Sequence, residues 1–224
     1  MRFFIGIPCY RDCERLRKTV DSLLQHTVTP CELAVQVSPQ SVVANRNAIL
    51  KAARSYDADY VCFSDDDVDF SPEWDAKLLA HMGPGIGQTA PFLLYPDGSV
   101  CTAWIDIADG FTPYQVGHKG PEYPEMRECW LVPGVCGCVS VFSKEFLDTV
   151  DWKFDDQYTG SQFEDVDQTL TVRRNGFNVL YNGEVALTHD PVGGTPRHNA
   201  ENYEKLKAKW EDWIESNQWN SMTS

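Results

Sequence analysis

Residues 3–7 form a short apolar run that stops at Pro8, after which Leu16, Val20, Leu23 and Leu24 recur at helical spacing. This pattern predicts a strand followed by an amphipathic helix. Residues 33–37 repeat the strand signal, residues 43–56 read as a helix with small packing positions at Ala44, Ala48 and Ala52, and residues 59–64 give a third strand. Strands that alternate with helices predict an α/β fold, a mostly parallel sheet with helices on both faces.

The third strand runs into an acidic cluster, SDDDVDF, and Pro72 then opens a helix with Trp74, Leu78 and Leu79 on its apolar side. Residues 89–94 and 99–105 flank Pro96-Asp97-Gly98, a turn signal that predicts a hairpin. Residues 106–130 hold Gly110, Pro113, Gly117, Gly120, Pro121 and Pro124 without clear periodicity, which predicts a long lid or acceptor loop. Downstream, residues 135–142 predict a buried strand, residues 163–174 a helix stopped by Asn175-Gly176, and residues 177–181 and 185–188 two further strands. Tyr203, Leu206, Trp210 and Trp213 mark a C-terminal amphipathic helix over residues 200–213.

A chain of 224 residues is long enough for one domain with a substantial core. With 33 acids against 19 Lys and Arg, its formal charge of −14 repels polyanions, so generic nucleic-acid or anionic-membrane binding is not favoured. No stretch reads as a signal peptide or membrane anchor. The 8 cysteines, at 9, 13, 31, 62, 101, 129, 136 and 138, contain no CxxC pair and fit free thiols in a reducing cytoplasm.

Asp65, Asp66, Asp67 and Asp69 follow a strand at the edge where open α/β sheets bind ligands. In extended chain, 65, 67 and 69 point one way and Asp66 the other. So many anions together call for a cation, and oxygen donors select a hard divalent ion, Mg2+ or Mn2+. A solvated acidic loop is the structural alternative. A second acidic group, FEDVD, opens a helix, where the dipole favours carboxylates such as Glu164 or Asp165. At about 100° per residue, Asp165 and Asp167 diverge by roughly 200° and do not both face one site. His189 ends an apolar run and serves either as a ligand or as a hydrogen-bonded structural residue. Arg11 and Arg46 have the forked donor geometry that suits a diphosphate, or else form ordinary ion pairs. Neither a Walker pattern nor a GxGxxG fingerprint occurs, and the Gly193-Gly194 pair is no phosphate loop.

In this order, the segments resemble family 2 glycosyltransferases with the GT-A fold over nearly the whole chain. The likeness is carried by IPCYRDCERLRKTVDSLL, by ANRNAILKAARSYDADYVCFSDDDV with its arginine-asparagine pair and DxD, by the hairpin APFLLYPDGSV, by the stretch from PGVCGCVSVF through FEDVDQTLTVRRNG to VALTH, and by GGT followed by NYEKLKAKW. The resemblance implies a single GT-A domain, with residues 1–70 as the Rossmann-like nucleotide-sugar half, 71–190 as the acceptor and catalytic half, and 191–224 as a C-terminal tail and helix. It makes Asp165 the general base. Asp67 and His189 become metal ligands, with Asp65 on the metal or the donor ribose and Asp66 beside the donor. Pro8, Tyr10 and Arg11 border the nucleobase, and Arg46 lies near it or the diphosphate. Glu164 and Trp130 fall on the acceptor side, where Trp104, Tyr114, His118 and Tyr123 offer further rings for stacking or for anchoring the loop. One departure is VQVSPQS at residues 35–41, where the family often has an acidic DDGS turn.

The implied reaction is metal-dependent, inverting transfer of a sugar from a nucleotide diphosphate sugar, a UDP-sugar first, to an acceptor hydroxyl. The acceptor is a carbohydrate or another hydroxyl-bearing molecule, with a hydroxylated DNA base less favoured by the net charge. Two alternatives stay open: a sugar-phosphate nucleotidyltransferase and a non-catalytic nucleotide or sugar binding module.

Overall fold

The structure, a computed structural model, describes residues 1–11, 13–109, 111–149, 152–191 and 199–216. Gly110, the Gly193-Gly194 pair and the GGT segment lie outside the described residues. In chain order the elements are β1 (Phe3–Cys9), α1 (Glu14–His26), β2 (Cys31–Val37), α2 (Val42–Tyr56), β3 (Tyr60–Ser64), β4 (Val68–Asp69), α3 (Trp74–Ala80) and β5 (Ile86–Leu94). There follow β6 (Val100–Thr102), β7 (Ile105–Ala108), β8 (Thr112–Gln115), a 3-10 turn (Pro124–Arg127), β9 (Cys129–Leu131), β10 (Val139–Ser143), α4 (Lys144–Thr149), α5 (Glu164–Arg174), β11 (Asn178–His189) and α6 (Asn199–Glu215).

The main sheet runs β2-β1-β3-β10-β5-β11-β4, with β6 added beside β5 and β9 beside β11. Along that path β2, β1, β3, β5 and β11 run one way, and β10 and β4 run against them. The protein is a mixed α/β domain with a mostly parallel central sheet. Its central strands are covered on both faces, which explains their unbroken apolar runs. Phe3, Ile5, Ile7 and Cys62 pack into one core layer with Leu16, Leu23, Trp74 and Leu78 of α1 and α3. Phe4, Val61 and Phe63 point the other way, into a layer completed by Ile49, Val166, Leu170, Leu206 and Trp210 of α2, α5 and α6. Gly6 is required on that second face, because a Cβ there would lie 2.1 Å from Cγ2 of Ile49.

Two sequence expectations change. The two strands expected over 177–181 and 185–188 are one strand, β11, whose register against β5 jumps between Asn182 and Ala186 and so creates a bulge. The expected loop at 106–130 is largely structured by the β7–β8 hairpin, the 3-10 turn and β9. Short strands that pair at a distance carry no periodicity of their own, so neither the hairpin nor β9 has a sequence signature. The short helix α4, whose Phe146 and Leu147 are buried, was also not legible. All eight cysteines are free thiols, and no helix among the described residues is long and apolar enough to cross a membrane.

Candidate active site

The carboxyl ends of β1, β3 and β11 and the start of β10 share one edge of the sheet, since Val139 pairs with Ser64. Above this edge lies a cleft of about 1050 Å³, lined among others by Pro8, Tyr10, Arg15, Arg46, Asp65, Asp66, Asp67, Gly137, Cys138, Glu164, Asp165 and His189.

Asp65 to Asp67 do not continue the strand as extended chain. The chain turns at Asp66 and Asp67, which brings all three carboxylates to the cleft and leaves Asp69 exposed on β4, outside it. After the turn, Val68 pairs with His189 and Asp69 with Thr188. That register sets Asp67 beside the late histidine, 121 positions being folded away between β4 and the end of β11 only by tertiary structure, and the Asp190 N–H donates to the Asp67 carbonyl at 2.9 Å.

His189 Nε2 lies 3.1 Å from Asp67 Oδ1. That oxygen is buried and has no hydrogen-bond partner other than this contact with the ring, so the two atoms stand close enough to pair directly or to share a cation. Donor atoms of Asp65, Asp67, Cys138 and His189 all fall within 4.8 Å of one another. Two carboxylates and an imidazole are a donor set suited to Mn2+ or Mg2+, and the orphaned Asp67 oxygen fits a cation at this point. His189 Nδ1 contacts the Cys101 thiol at 3.5 Å, an outer contact that orients the ring. Burial opposes protonation of His189, but Cys138, Asp67 and Cys101 together outweigh it and raise the ring's affinity for a proton. Burial also pushes the Cys138 thiol up to about 12.

Asp66 is held apart from this group: the Arg15 Nη2 donates to its Oδ1 at 2.9 Å and the Cys9 thiol to its Oδ2 at 2.7 Å. Arg46, at the heart of α2, donates through Nη2 to Asp65 Oδ1 at 3.0 Å and to the Gly137 carbonyl at 2.9 Å, with Nη1 3.5 Å from Glu164 Oε1. Withdrawal from water raises the Asp65 carboxyl above its ordinary range, against the pull of Arg46.

The second acidic group comes from the first turn of α5. Gln162 and Phe163, immediately before it, both hold left-handed backbone, φ 93° and 68°, a strained conformation for non-glycine residues and one that clusters at functional sites. Asn202 of α6 clamps this entry, its amide donating to the carbonyls of Thr159 and Gln162 at 2.9 and 3.0 Å. Asp165 accepts from the backbone N–H of Gly137 at 3.2 Å and of Val166 at 2.9 Å. Glu164 is buried, which together with the neighbouring Asp165 raises its carboxyl to about 7 despite Arg46. Asp167 turns away, accepting from Trp210 Nε1 at 2.6 Å and pairing with Lys209 at 2.8 Å. It anchors α6 and lies outside the cleft, as the helical angle requires.

The structure therefore brings together Pro8, Tyr10, Arg46, Asp65, Asp66, Asp67, Glu164, Asp165 and His189, and does not bring Arg11 or Trp130 among the lining residues. Trp130 stands half exposed on β9, its indole N–H donating to the Glu125 carbonyl at 3.0 Å. Of the other aromatic candidates, His118 lines the cleft, Tyr114 and Tyr123 are exposed, and Trp104 packs on Tyr181. Sequence reasoning missed Arg15, Gly137, Cys101 and Cys138. Gly137 alone had a signal, a glycine between two cysteines just before a buried strand.

No protein-family model matches the chain, and no curated protein is significantly similar to it in sequence. Solved structures are similar in fold. A crystal structure of GalNAc-T7 with UDP, GalNAc and Mn2+ aligns with a TM-score of 0.68 at 12% identity, over 96% of this chain and 50% of that one. The structure of A197 from STIV aligns with a TM-score of 0.58 at 16% identity, over 84% of this chain and 85% of that one. The chain thus spans about half the length of the GalNAc-T7 chain. The architecture is that of a GT-A-type domain.

Proposed function

We propose that the chain is a metal-dependent glycosyltransferase, of family 2 type, that moves a sugar from a nucleotide diphosphate sugar to an acceptor hydroxyl with inversion. One observation carries this reading: Asp65, Asp67 and His189 converge across a single cleft from a separately held carboxylate, Asp165. The fold neighbour crystallised with UDP, GalNAc and Mn2+ supports a UDP-sugar donor and a sugar acceptor.

In this reading Asp65, Asp67 and His189 hold Mn2+ or Mg2+. Bound there, the ion supplies Lewis-acid stabilisation of the charge that grows on a departing diphosphate. Residues 1–70 supply the donor side, where Pro8 and Tyr10 border the base, Asp66 helps shape the wall, and Arg46 orients Asp65. Residues 71–190 supply the acceptor side and the base, and 191–224 the tail. Asp165 takes the proton from the acceptor hydroxyl as its oxygen attacks the anomeric carbon. The two backbone N–H groups that hold Asp165 fix the direction of its lone pairs before the acceptor arrives.

The test is a mass-spectrometric screen of nucleotide sugars with Mn2+. Sugar transfer or donor hydrolysis with release of a nucleoside diphosphate is expected, and lost in excess EDTA. Full turnover in EDTA removes the metal role, and pyrophosphate release from an NTP and a sugar phosphate replaces this reading with nucleotidyl transfer.

A further inference from the structure

Away from the cleft, His81, Cys129 and Glu184 bring an imidazole nitrogen, a thiol sulfur and a carboxylate oxygen within 4.8 Å of one another. They come from three elements: the C-cap of α3, the strand β9 and the bulge of β11. A single buried side chain, Asn182, ties those elements together. Its Nδ2 donates to the Lys77 carbonyl of α3 at 3.2 Å, while its Oδ1 accepts from the Cys129 thiol at 3.5 Å and from the Glu184 backbone N–H at 3.1 Å. The bulge itself is locked, because the Gly183 N–H donates to the Glu128 carbonyl at 3.0 Å and a Cβ at Gly183 would lie 2.3 Å from the Met126 carbonyl oxygen. Glu184 is thereby presented outward, with its Oε2 3.2 Å from His81 Nε2.

We propose that His81, Cys129 and Glu184 form a second metal site, separate from the cleft, for a zinc-class divalent ion completed by solvent. Sulfur, imidazole and carboxylate are the donors zinc uses, and its bond lengths of about 2.0 to 2.3 Å place tetrahedral donors roughly 3.3 to 3.8 Å apart, close to the His81–Glu184 separation. Asn182 holds the backbone of Glu184 and, before an ion binds, the Cys129 thiol, whose S–H bond to Oδ1 is given up when the thiolate forms. His81 and Glu184 are exposed enough to admit an ion from solvent. The Cys129 sulfur binds an ion as the thiolate, so its proton is released to solvent on binding. An ion here cross-links α3 and the three-residue strand β9 to β11.

The test uses the full chain carrying Cys138→Ala and His189→Ala, which removes the thiol and the imidazole from the cleft cluster, titrated with Cd2+ and followed by thiolate-to-metal absorbance. One equivalent is expected to raise the band. It should vanish in Cys129→Ser and need at least about tenfold more Cd2+ in His81→Ala, a loss at the lower end of what even outer-shell changes cause. Because His81 is exposed, that variant tests the site without threatening the core, and Zn2+ should raise the thermal midpoint of the parent but not of His81→Ala. A band that survives Cys129→Ser, affinity unmoved by His81→Ala, or no band at all overturns the proposal. None of these outcomes bears on the glycosyltransferase reading.

Discussion

Arg46 donates to Asp65 at 3.0 Å from a guanidinium whose side chain is only 2% exposed. The same cation faces Glu164 and the Gly137 carbonyl, so one residue of α2 balances acids from β3 and from α5. Neither acidic group would be tolerated this close without it, because unpaired buried carboxylates are costly.

Arg46→Met is expected to destabilise the protein by about 3 to 5 kcal/mol, the range for breaking a buried pair by removing one partner. Urea unfolding at neutral pH measures this. Arg46→Lys keeps the charge but loses the fork that bonds Asp65 and Gly137 together, and should fall between the two. A loss below about 1 kcal/mol for Arg46→Met would show that the acids are relieved in another way.

Glu164 predicts a pH dependence. Its carboxyl is raised to about 7 in the folded state, first by burial and then by Asp165, so the folded chain binds that proton more tightly than the unfolded one. The associated stability is complete below the ordinary carboxylate range and is lost as pH rises through about 7, amounting to at most about 3 kcal/mol. In metal-free protein the thermal midpoint should therefore fall between pH 5 and pH 8 on this account, and Glu164→Gln should flatten the slope.

Gly137 and Val166 donate to different oxygens of Asp165, so Asp165→Asn keeps an acceptor for only one of the two N–H groups while it removes the proposed base. Transfer is expected to drop by about 10²- to 10⁴-fold with donor affinity by calorimetry nearly unchanged. Weakened donor binding with retained turnover would assign Asp165 to the donor instead.

Gly137→Ala would place a Cβ 2.6 Å from Cβ of Asp165 and 3.2 Å from Nη1 of Arg46. Overpacking of this kind costs about 1 to 3 kcal/mol, and the displaced carboxylate should lower kcat more than it raises KM. Equal loss in both would mean that the substitution acts on binding rather than on the base.

The order of the first five elements was legible because β1 and β3 are buried on both faces and α1 and α2 on one, which writes period and length directly into the chain, whereas the two-residue strand β4 carries no such pattern. Asp65 to Asp67 and the acids opening α5 were legible because each group directly follows or starts an element with a recognisable apolar run. The place of Trp130 was not legible, because an aromatic at the end of an unpatterned stretch carries no information about which strand it joins; β9 pairs with β11, and Trp130 is not among the residues lining the cleft. Of the seven acids in the two clusters, Asp69 and Asp167 lie on β4 and against α6, and Asp65, Asp66, Asp67, Glu164 and Asp165 line the cleft.

The amino-acid sequence by itself determined an α/β chain with carboxylates at the carboxyl edge of its parallel strands, since local periodicity and the direction of β-α-β crossovers require nothing distant. Only the tertiary structure decided that Asp67 meets His189, that Gly137 lies between Arg46 and Asp165, and that Cys138 joins the ligand cluster. Those contacts depend on the register of β4 against β11 and of β10 against β3, and register between strands far apart in the chain is set by the packing of the whole sheet, not by any pattern within one segment.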